Sequence, residues 1–259
     1  NTYRTIAGLL PNIRYSVKII PRNNSAIPAA SIFGATTERY TFAQIPPAPN
    51  ISNPTINSIK ITIAAGNNPG YTEYQIAVST FAASISTSAW TYSGFISSTT
   101  KTIAPGASSA TKTQWEQSNG LIITNLTTNI GVAVKIRAVN KESIATLYNL
   151  ENTTTTTLAD MPILPTLLWG SAEDGNSFFT EVTVQPDANP NDTEYAIFNA
   201  QNTNLYLAGG GGMSSQPVWK IKPEWESGTN KRQINISKTE KDKTYWYQVK
   251  ARNRAGIET

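Results

Sequence analysis

The chain has 259 residues, a formal net charge of +4, and neither cysteine nor histidine. This composition excludes disulfides, Cys/His metal sites, and the commonest catalytic bases and thiol nucleophiles. The charge is too small to indicate a nucleic acid as partner, and no apolar run approaches the ~18 residues of a membrane-spanning helix. The length predicts about two domains of ordinary size. The abundance of Thr, Ser and Asn favours strands and polar turns over helices.

Three sequence blocks recur in the same order: a strand block, a linker block and a turn block. The strand block occurs at residues 15–19, 132–140 and 245–253. The linker block occurs at 41–46 and 157–162, and the turn block at 68–74 and 189–195. Successive copies are separated by 113 to 121 residues, so insertions fall between the blocks, as loops permit. The repeat predicts a unit of about 115 residues that begins near Pro46 and again near Pro162.

The strand blocks alternate between apolar and polar residues with a period of two. The apolar positions are Val132, Val134, Ile136 and Ala138 in one copy, and Tyr245, Tyr247, Val249 and Ala251 in another. The same alternation occurs at residues 59–63 and 180–184. One buried and one solvated face are typical of antiparallel sheets. Turn signals such as Asn119-Gly120 separate the runs, so the sequence predicts an all-β fold of antiparallel β-sandwiches.

Residues 9–17, LLPNIRYSV, resemble the Leu-x-Pro-x-x-x-Tyr-x-Val signature of fibronectin type III domains around strands E and F. The resemblance implies tandem immunoglobulin-like sandwiches. It also implies a tyrosine corner at Tyr15 and at Tyr245, in which the hydroxyl bonds the upstream backbone. Two positions depart from the signature. Val132 replaces the corner tyrosine, which removes that hydrogen bond, and Thr239 stands where a leucine is expected.

The repeat and the resemblance together predict three units, which we number in chain order. Unit 1 (residues 1–45) is expected to be the C-terminal part of a domain, strands E to G. Unit 2 (46–161) is expected to be a complete domain with a long insertion between strands C and E, and unit 3 (162–259) a domain that lacks its last strand. The insertions, near residues 90–95 and 209–212, predict an extra edge strand and a loop.

Two explanations account for the incomplete units. The first is a longer array in which flanking parts of the same chain complete them. The second is a neighbouring copy that supplies the missing strands and so builds a head-to-tail polymer.

Two aromatic positions are candidate partner-binding sites. In unit 3, Trp246, Lys250 and Arg252 share the outward face of the predicted strand F, and an exposed Trp beside cations would bind an anionic glycan or a partner protein. The alternative is a solvated face in which the lysine and arginine stems cover the Trp. In unit 2, Trp90 and Tyr92 would form a platform for a sugar, or else cap an exposed sheet edge. Trp115 and Trp225 are predicted to lie in the core.

Oxygen donors cluster at Asp187, Asn189, Asn191 and Asp192, as in calcium loops. Pro190 interrupts the run, and the matching loop of unit 2 has no acidic residue, so an ordinary turn is the preferred interpretation. No metal, no cofactor and no enzymatic activity are predicted.

The predicted function is architectural: a repeat segment of an extracellular or cell-surface protein such as an adhesin, a surface layer or a filament subunit. Its expected partners are neighbouring domains of the same chain, copies of itself, and a glycan or the cell envelope. One rival interpretation is a spacer array of a secreted polysaccharide-degrading enzyme. Another is a module that binds a glycan or a protein through the basic and aromatic face of unit 3.

Overall fold

The computed structural model describes residues 3–24, 32–81, 96–98, 101–103, 109–116, 121–151, 153–171, 178–200, 205–208, 212–226 and 244–259. The strands of units 1 and 2 are β1 (Arg14–Val17), β2 (Thr37–Tyr40), β3 (Asn50–Ser52), β4 (Ile59–Thr62), β5 (Glu73–Phe81), β6 (Ile96–Ser98), β7 (Lys101–Ile103), β8 (Ala110–Thr111), β9 (Leu121–Ile123), β10 (Gly131–Val139) and β11 (Thr153–Thr156). Those of unit 3 are β12 (Ile163–Ser171), β13 (Phe178–Gln185), β14 (Glu194–Asn199), β15 (Tyr206–Leu207), β16 (Met213–Ser214), β17 (Lys220–Ile221) and β18 (Tyr247–Arg252). Two one-turn helices, α1 (Lys112–Glu116) and α2 (Lys222–Glu226), complete the described elements. The strand pairs are antiparallel, which confirms the all-β prediction.

Unit 1 contains a hairpin of β1 and β2, in which Tyr15 lies opposite Arg39. The backbone N–H of Leu10 donates to the hydroxyl oxygen of Tyr15 at 3.0 Å, a bond of the kind that a tyrosine corner makes. The expected strand E is not a strand in residues 3–13. A strand needs a neighbour for its backbone N–H and C=O groups, and these residues pair with none of the described strands.

Unit 2 contains two sheets around one core. The first sheet has the order β3-β4-β9-β6-β7, and the second has the order β11-β10-β5-β8. The first core cluster is drawn from both sheets, and its fully buried members include Ile59, Ile61, Leu121, Ile123, Tyr74, Ile76, Val132, Val134 and Ile136. The antiparallel pair of β6 and β7 extends the first sheet beyond β9. The insertion predicted near residues 90–95 lies outside the described residues.

Unit 3 has a core cluster of its own, which contains Ala159, Val184, Tyr195, Ile197, Leu207, Trp225, Tyr247 and Ala251. Strand β14 is central, because β18, β15 and β17 all pair with it, and β16 extends β15. Strands β12 and β13 pair with each other. After β18 the chain turns back, and Arg252 forms a single antiparallel bridge with Glu258. Val139 and Ala145 form the same bridge after β10 in unit 2.

The predicted alternation of side chains is confirmed in both copies. Val132, Val134, Ile136 and Ala138 are fully buried, while Lys135 and Arg137 on the opposite face are partly exposed. Tyr247 and Ala251 are buried, while Trp246 and Gln248 are exposed. The period-2 pattern therefore assigned the inner and outer faces of these strands correctly.

Each short helix places one tryptophan in a core, as predicted for Trp115 and Trp225. The indole N–H of Trp115 donates to the carbonyl oxygen of Tyr74 at 2.9 Å. The indole N–H of Trp225 donates to the carbonyl oxygen of Tyr195 at the same distance. Burial of an indole is favourable only when its N–H finds an acceptor, and a strand carbonyl supplies one in both copies.

Candidate functional site: two repeated junctions

Each pair of consecutive units meets at a junction built around one buried asparagine. These are Asn12 between units 1 and 2 and Asn129 between units 2 and 3, and both are 0% exposed. Both have a positive φ, 51° at Asn12 and 48° at Asn129. Asparagine adopts this left-handed conformation more readily than most other residues. In each loop the asparagine N–H donates to a linker carbonyl at 3.0 Å, Phe42 for Asn12 and Leu158 for Asn129.

The buried asparagine side chain crosses the junction with both of its polar atoms. Asn12 Nδ2 donates to Thr72 Oγ1 at 2.9 Å, and the N–H of Lys141 donates to Asn12 Oδ1 at 3.0 Å. In the second junction, Asn129 Nδ2 donates to Thr193 Oγ1 at 2.9 Å, and the N–H of Arg254 donates to Asn129 Oδ1 at 2.8 Å. The two junctions therefore use the same atoms at equivalent positions.

A second asparagine crosses each junction in the opposite direction. Asn140 Nδ2 donates to the carbonyl oxygen of Thr41 at 3.2 Å, and Asn253 Nδ2 donates to that of Thr157 at 3.1 Å. The same side chains shape their own turns, because Asn140 Oδ1 accepts from the N–H of Ile144 at 2.9 Å and Asn253 Oδ1 accepts from that of Ile257 at 2.9 Å. Each side chain thus fixes its loop and contacts the preceding unit at the same time.

A third asparagine holds the linker. The N–H of Gln44 donates to Asn68 Oδ1 at 2.8 Å, and Asn68 Nδ2 donates to the Gln44 carbonyl at 2.9 Å. Asn189 makes the equivalent pair of bonds with the backbone of Asp160, at 2.7 and 2.8 Å. Just before these linker residues, Ala43 and Ala159 pack into the core clusters of the units that follow. The linkers are therefore bonded and packed against the following unit along this stretch.

The edges of the two junctions differ. At the first, the ammonium of Lys141 lies 5.8 Å from the ring centroid of Tyr71, and the Tyr71 hydroxyl donates to the Asn12 carbonyl at 2.5 Å. Burial raises the pKa of this hydroxyl, which favours the protonated form that donates. At the second junction, the equivalent positions are Arg254 and Asp192, which form an ion pair with Nε–Oδ2 at 3.0 Å. Thr128 Oγ1 also donates to the Ala188 carbonyl across this junction at 3.0 Å.

The aromatic and basic side chains predicted in unit 3 share one face, but the cations do not cover the tryptophan. Trp246 is 64% exposed. Arg252 lies 4.8 Å from the ring centroid of Trp219 and is paired with Glu194. Lys250 is paired with Glu258 at 3.2 Å, and this hydrogen bond raises the pKa of Lys250. Trp246 is therefore largely open to solvent, and the charged ends of these cations lie over other rings, Trp219 for Arg252 and Tyr206 for Lys250.

The other predicted site residues are placed as follows. Trp90, Tyr92 and Thr239 lie outside the described residues. Tyr245 packs, partly buried, against the second core cluster. In the loop with clustered oxygen donors, Asn189 is used by the linker and Asp192 by the ion pair with Arg254. Within the described ranges, no three acidic, histidine or cysteine side chains are grouped as metal ligands would be.

No protein-family profile matches this chain, and no curated protein matches it with significance. Among the described residues there is also no helix with the length and hydropathy of a membrane span.

The sequence interpretation missed the central residues of the junctions, Asn12 and Asn129. Asn12 falls at an unspecified position of the family signature, so the resemblance assigned it no role. A signal was nevertheless present: each asparagine precedes an isoleucine and lies three residues before the aligned pair Tyr15 and Val132. A recurrent asparagine at a turn indicates a residue in the left-handed conformation. Its hydrogen-bond partners could not be identified in this way, because they lie about 60 and 125 residues further along the chain and only the fold brings them together.

Proposed function

We propose that the chain is an architectural segment of an extracellular or cell-surface protein, built from tandem sandwiches of the fibronectin type III kind. The observation that carries the proposal is the repetition of one junction, with the same bonded atoms, between both pairs of units. Covalently joined domains otherwise move relative to each other unless their interface is extensive. A repeated, fully bonded junction is what a load-bearing or length-setting array requires.

The stiffness follows from the polar groups in each junction. A hinge motion that separates two units breaks the hydrogen bonds of the buried Asn12 or Asn129 side chain. The amide and the groups bonded to it are then left without partners. Each buried polar group left without a partner costs about 1–3 kcal/mol. With three bonds crossing between the units through the two asparagines, a bent junction is several kcal/mol less favourable than the bonded one. The array therefore behaves as a rod rather than as a flexible string.

Two further observations support the sandwich family. The strand order of unit 2 separates β3, β4 and β9 from β11, β10, β5 and β8, which is a division typical of this kind of sandwich. The bond from Leu10 to Tyr15 is of the tyrosine-corner kind.

The stiffness can be tested by measuring distances between spin labels, because the chain has no cysteine of its own. Labels at Thr62→Cys in unit 2 and Gln248→Cys in unit 3 sit on exposed strand positions. We expect a single narrow distance distribution, which broadens when Asn129→Ala is added. A broad distance distribution in the labelled chain without the Asn129→Ala change would contradict the proposal of a stiff rod. Electron microscopy of the native material on its cell or matrix then distinguishes a filament, a lattice and a spacer.

A further inference from the structure

At three positions on the outward face of the sheet around β14, unit 3 carries aromatic side chains where unit 2 has small residues. The second sheet of unit 2 and the sheet around β14 can be aligned on Tyr74 and Tyr195. Tyr74 lies opposite Ala138 on one neighbouring strand and Ala110 on the other. Tyr195 lies opposite Ala251 and Lys220 in the same way. In this alignment the positions of Ala77, Ser109 and Ala133 in unit 2 are taken by Phe198, Trp219 and Trp246 in unit 3. Three small residues are thus exchanged for three aromatic residues on one face.

The exchange is not required by the fold. In unit 2 the same strand positions hold alanine and serine, and both alanines are buried. In unit 3 Trp246 is exposed, and Phe198 and Trp219 are partly exposed. Tyr206 extends the set, because its ring centroid lies 5.2 Å from that of Phe198. Trp246 is thus the exposed member of a group of aromatic side chains whose other members are partly buried. We call Phe198, Tyr206, Trp219 and Trp246 the aromatic face.

Within the described part of unit 3, two cations beside the aromatic face are paired with carboxylates. Arg252 is paired with Glu194, and Lys250 is paired with Glu258. An anionic polymer is attracted by cations that lack such partners, so Arg252 and Lys250 do not favour one. Flat rings bordered by paired polar groups suit a ligand with an apolar side and many hydroxyls. The C–H face of a pyranose packs on the ring, while the hydroxyls bond to the polar border.

We propose that the aromatic face binds a neutral polysaccharide, with Trp246 as the main stacking surface. The exposed side chain of Gln248 follows Trp246 on the same side of β18, and it offers both a donor and an acceptor to sugar hydroxyls. The paired carboxylates of Glu194 and Glu258 supply further acceptors along the same sheet. This assignment is independent of the junctions, because none of these residues takes part in them.

The test is a screen of the whole chain on immobilised neutral oligosaccharides (cello-, xylo-, manno- and chito-oligosaccharides), with heparin and alginate fragments as acidic probes. We expect retention on at least one neutral probe that persists when the salt concentration is raised to about 1 M, since screening affects only charge-driven binding. Trp246→Ala together with Phe198→Ala introduces the residues of unit 2, which fold there, and is expected to weaken the binding at least tenfold. Phe42→Ala, which removes an exposed aromatic residue elsewhere, is the matched control and leaves it unchanged.

Three results would overturn the proposal: no retention on any neutral probe, retention only on acidic probes with loss at high salt, or unchanged binding by a folded double variant. Circular dichroism of the variants reports whether they are folded. Binding by the Asn129→Ala variant should equal that of the unaltered chain, so that a failure of the rod and a failure of the aromatic face remain distinguishable.

Discussion

The two junctions share their interior and differ at their edges. In the interior, a left-handed asparagine bonds a threonine hydroxyl and a backbone N–H in both junctions. At the edge, the pair Lys141 and Tyr71 makes a cation–π contact, while the equivalent pair Arg254 and Asp192 makes an ion pair. The type of contact therefore differs between the two edges, whereas the hydrogen bonds of the interior are the same in both junctions.

Burial explains the difference. Inside the junction, a group without a partner is cut off from water and carries the full desolvation penalty, so only one arrangement of donors and acceptors is stable. At the edge, water substitutes for a lost partner, and a contact contributes a few tenths to about 1 kcal/mol whichever type it is. The interior thus sets the relative orientation of the units, whereas each of these edge pairs lies within the following unit, beside the junction.

The largest effect is expected from Asn129→Ala. This change leaves Thr193 Oγ1 and the Arg254 N–H without their partner, which we expect to weaken the junction by about 2–4 kcal/mol beyond the backbone strain of a left-handed alanine. Asn125→Ala is the matched control, because Asn125 also has a positive φ of 60° but is exposed. Hydrogen exchange of the Arg254 amide measures the effect. Equal exchange rates in the two variants would show that the side chain does not hold the junction.

A smaller effect is expected from Tyr71→Phe in the first junction. The change removes the hydrogen bond to the Asn12 carbonyl but keeps the ring beneath Lys141, so we expect a loss of about 1 kcal/mol that does not depend on salt. Exchange of the Lys141 amide is the measurement. A loss that disappears at high salt would contradict this account.

At the second junction, Asp192→Asn is expected to have a still smaller effect, about 0.2–1 kcal/mol, because the ion pair is partly exposed. This loss should shrink as salt rises to about 1 M, since added ions screen the pair. Amide exchange at Arg254 in low and high salt tests it. If the Tyr71→Phe and Asp192→Asn losses responded to salt in the same way, the distinction between the two edges would be wrong.

The two core clusters differ in a tyrosine hydroxyl, and the smallest effect is expected there. Tyr74 Oη donates to the Ala65 carbonyl at 3.4 Å, whereas the buried hydroxyl of Tyr195 has no partner among the described residues. Tyr195→Phe should therefore change the free energy of unfolding at pH 7 by less than about 1 kcal/mol. Denaturant unfolding of unit 3, followed at a probe within that unit, measures this change.

The same hydroxyl is expected to govern alkaline unfolding. Burial raises the pKa of Tyr195 and of Tyr247 from 10.0 to about 12. Between these values the unfolded chain releases protons that the folded chain retains, so stability is unaffected below pH 10 and is lost as the pH rises towards 12. Tyr195→Phe should reduce this loss. An unchanged pH profile would mean that the hydroxyl ionises without unfolding.

Local sequence pattern predicted the strands and their faces because a side-chain period of two depends only on neighbouring residues. Val134 and Tyr247 are examples, and both are buried as predicted. The repeat likewise indicated that Trp115 and Trp225 share one role, which their indole bonds to Tyr74 and Tyr195 explain. These features recur in each copy of the repeat, so the copies within one chain can be compared with each other.

The junctions were not predictable in the same way. Asn12 bonds residues 60 and 129 positions away, and no local pattern encodes such a pair. The rings over which Lys250 and Arg252 lie were not predictable either, because the pairing of β14 with β18 and the position of Trp219 decide which ring each cation reaches. Contacts between distant segments depend on topology, and the sequence reveals them only after the fold is known.

The placement of the junction groups has a consequence for how such a protein grows. Unit 2 carries both halves of the contact: Thr72 and Asn140 receive the preceding unit, and Asn129 and Thr157 engage the following one. A head-to-tail contact of this type leaves one half of the contact available on each terminal unit, unless the rotation between units closes a ring. Duplication of one such stretch of gene therefore creates a longer array with a finished interface at every new seam, and lengthening requires no additional adaptive change.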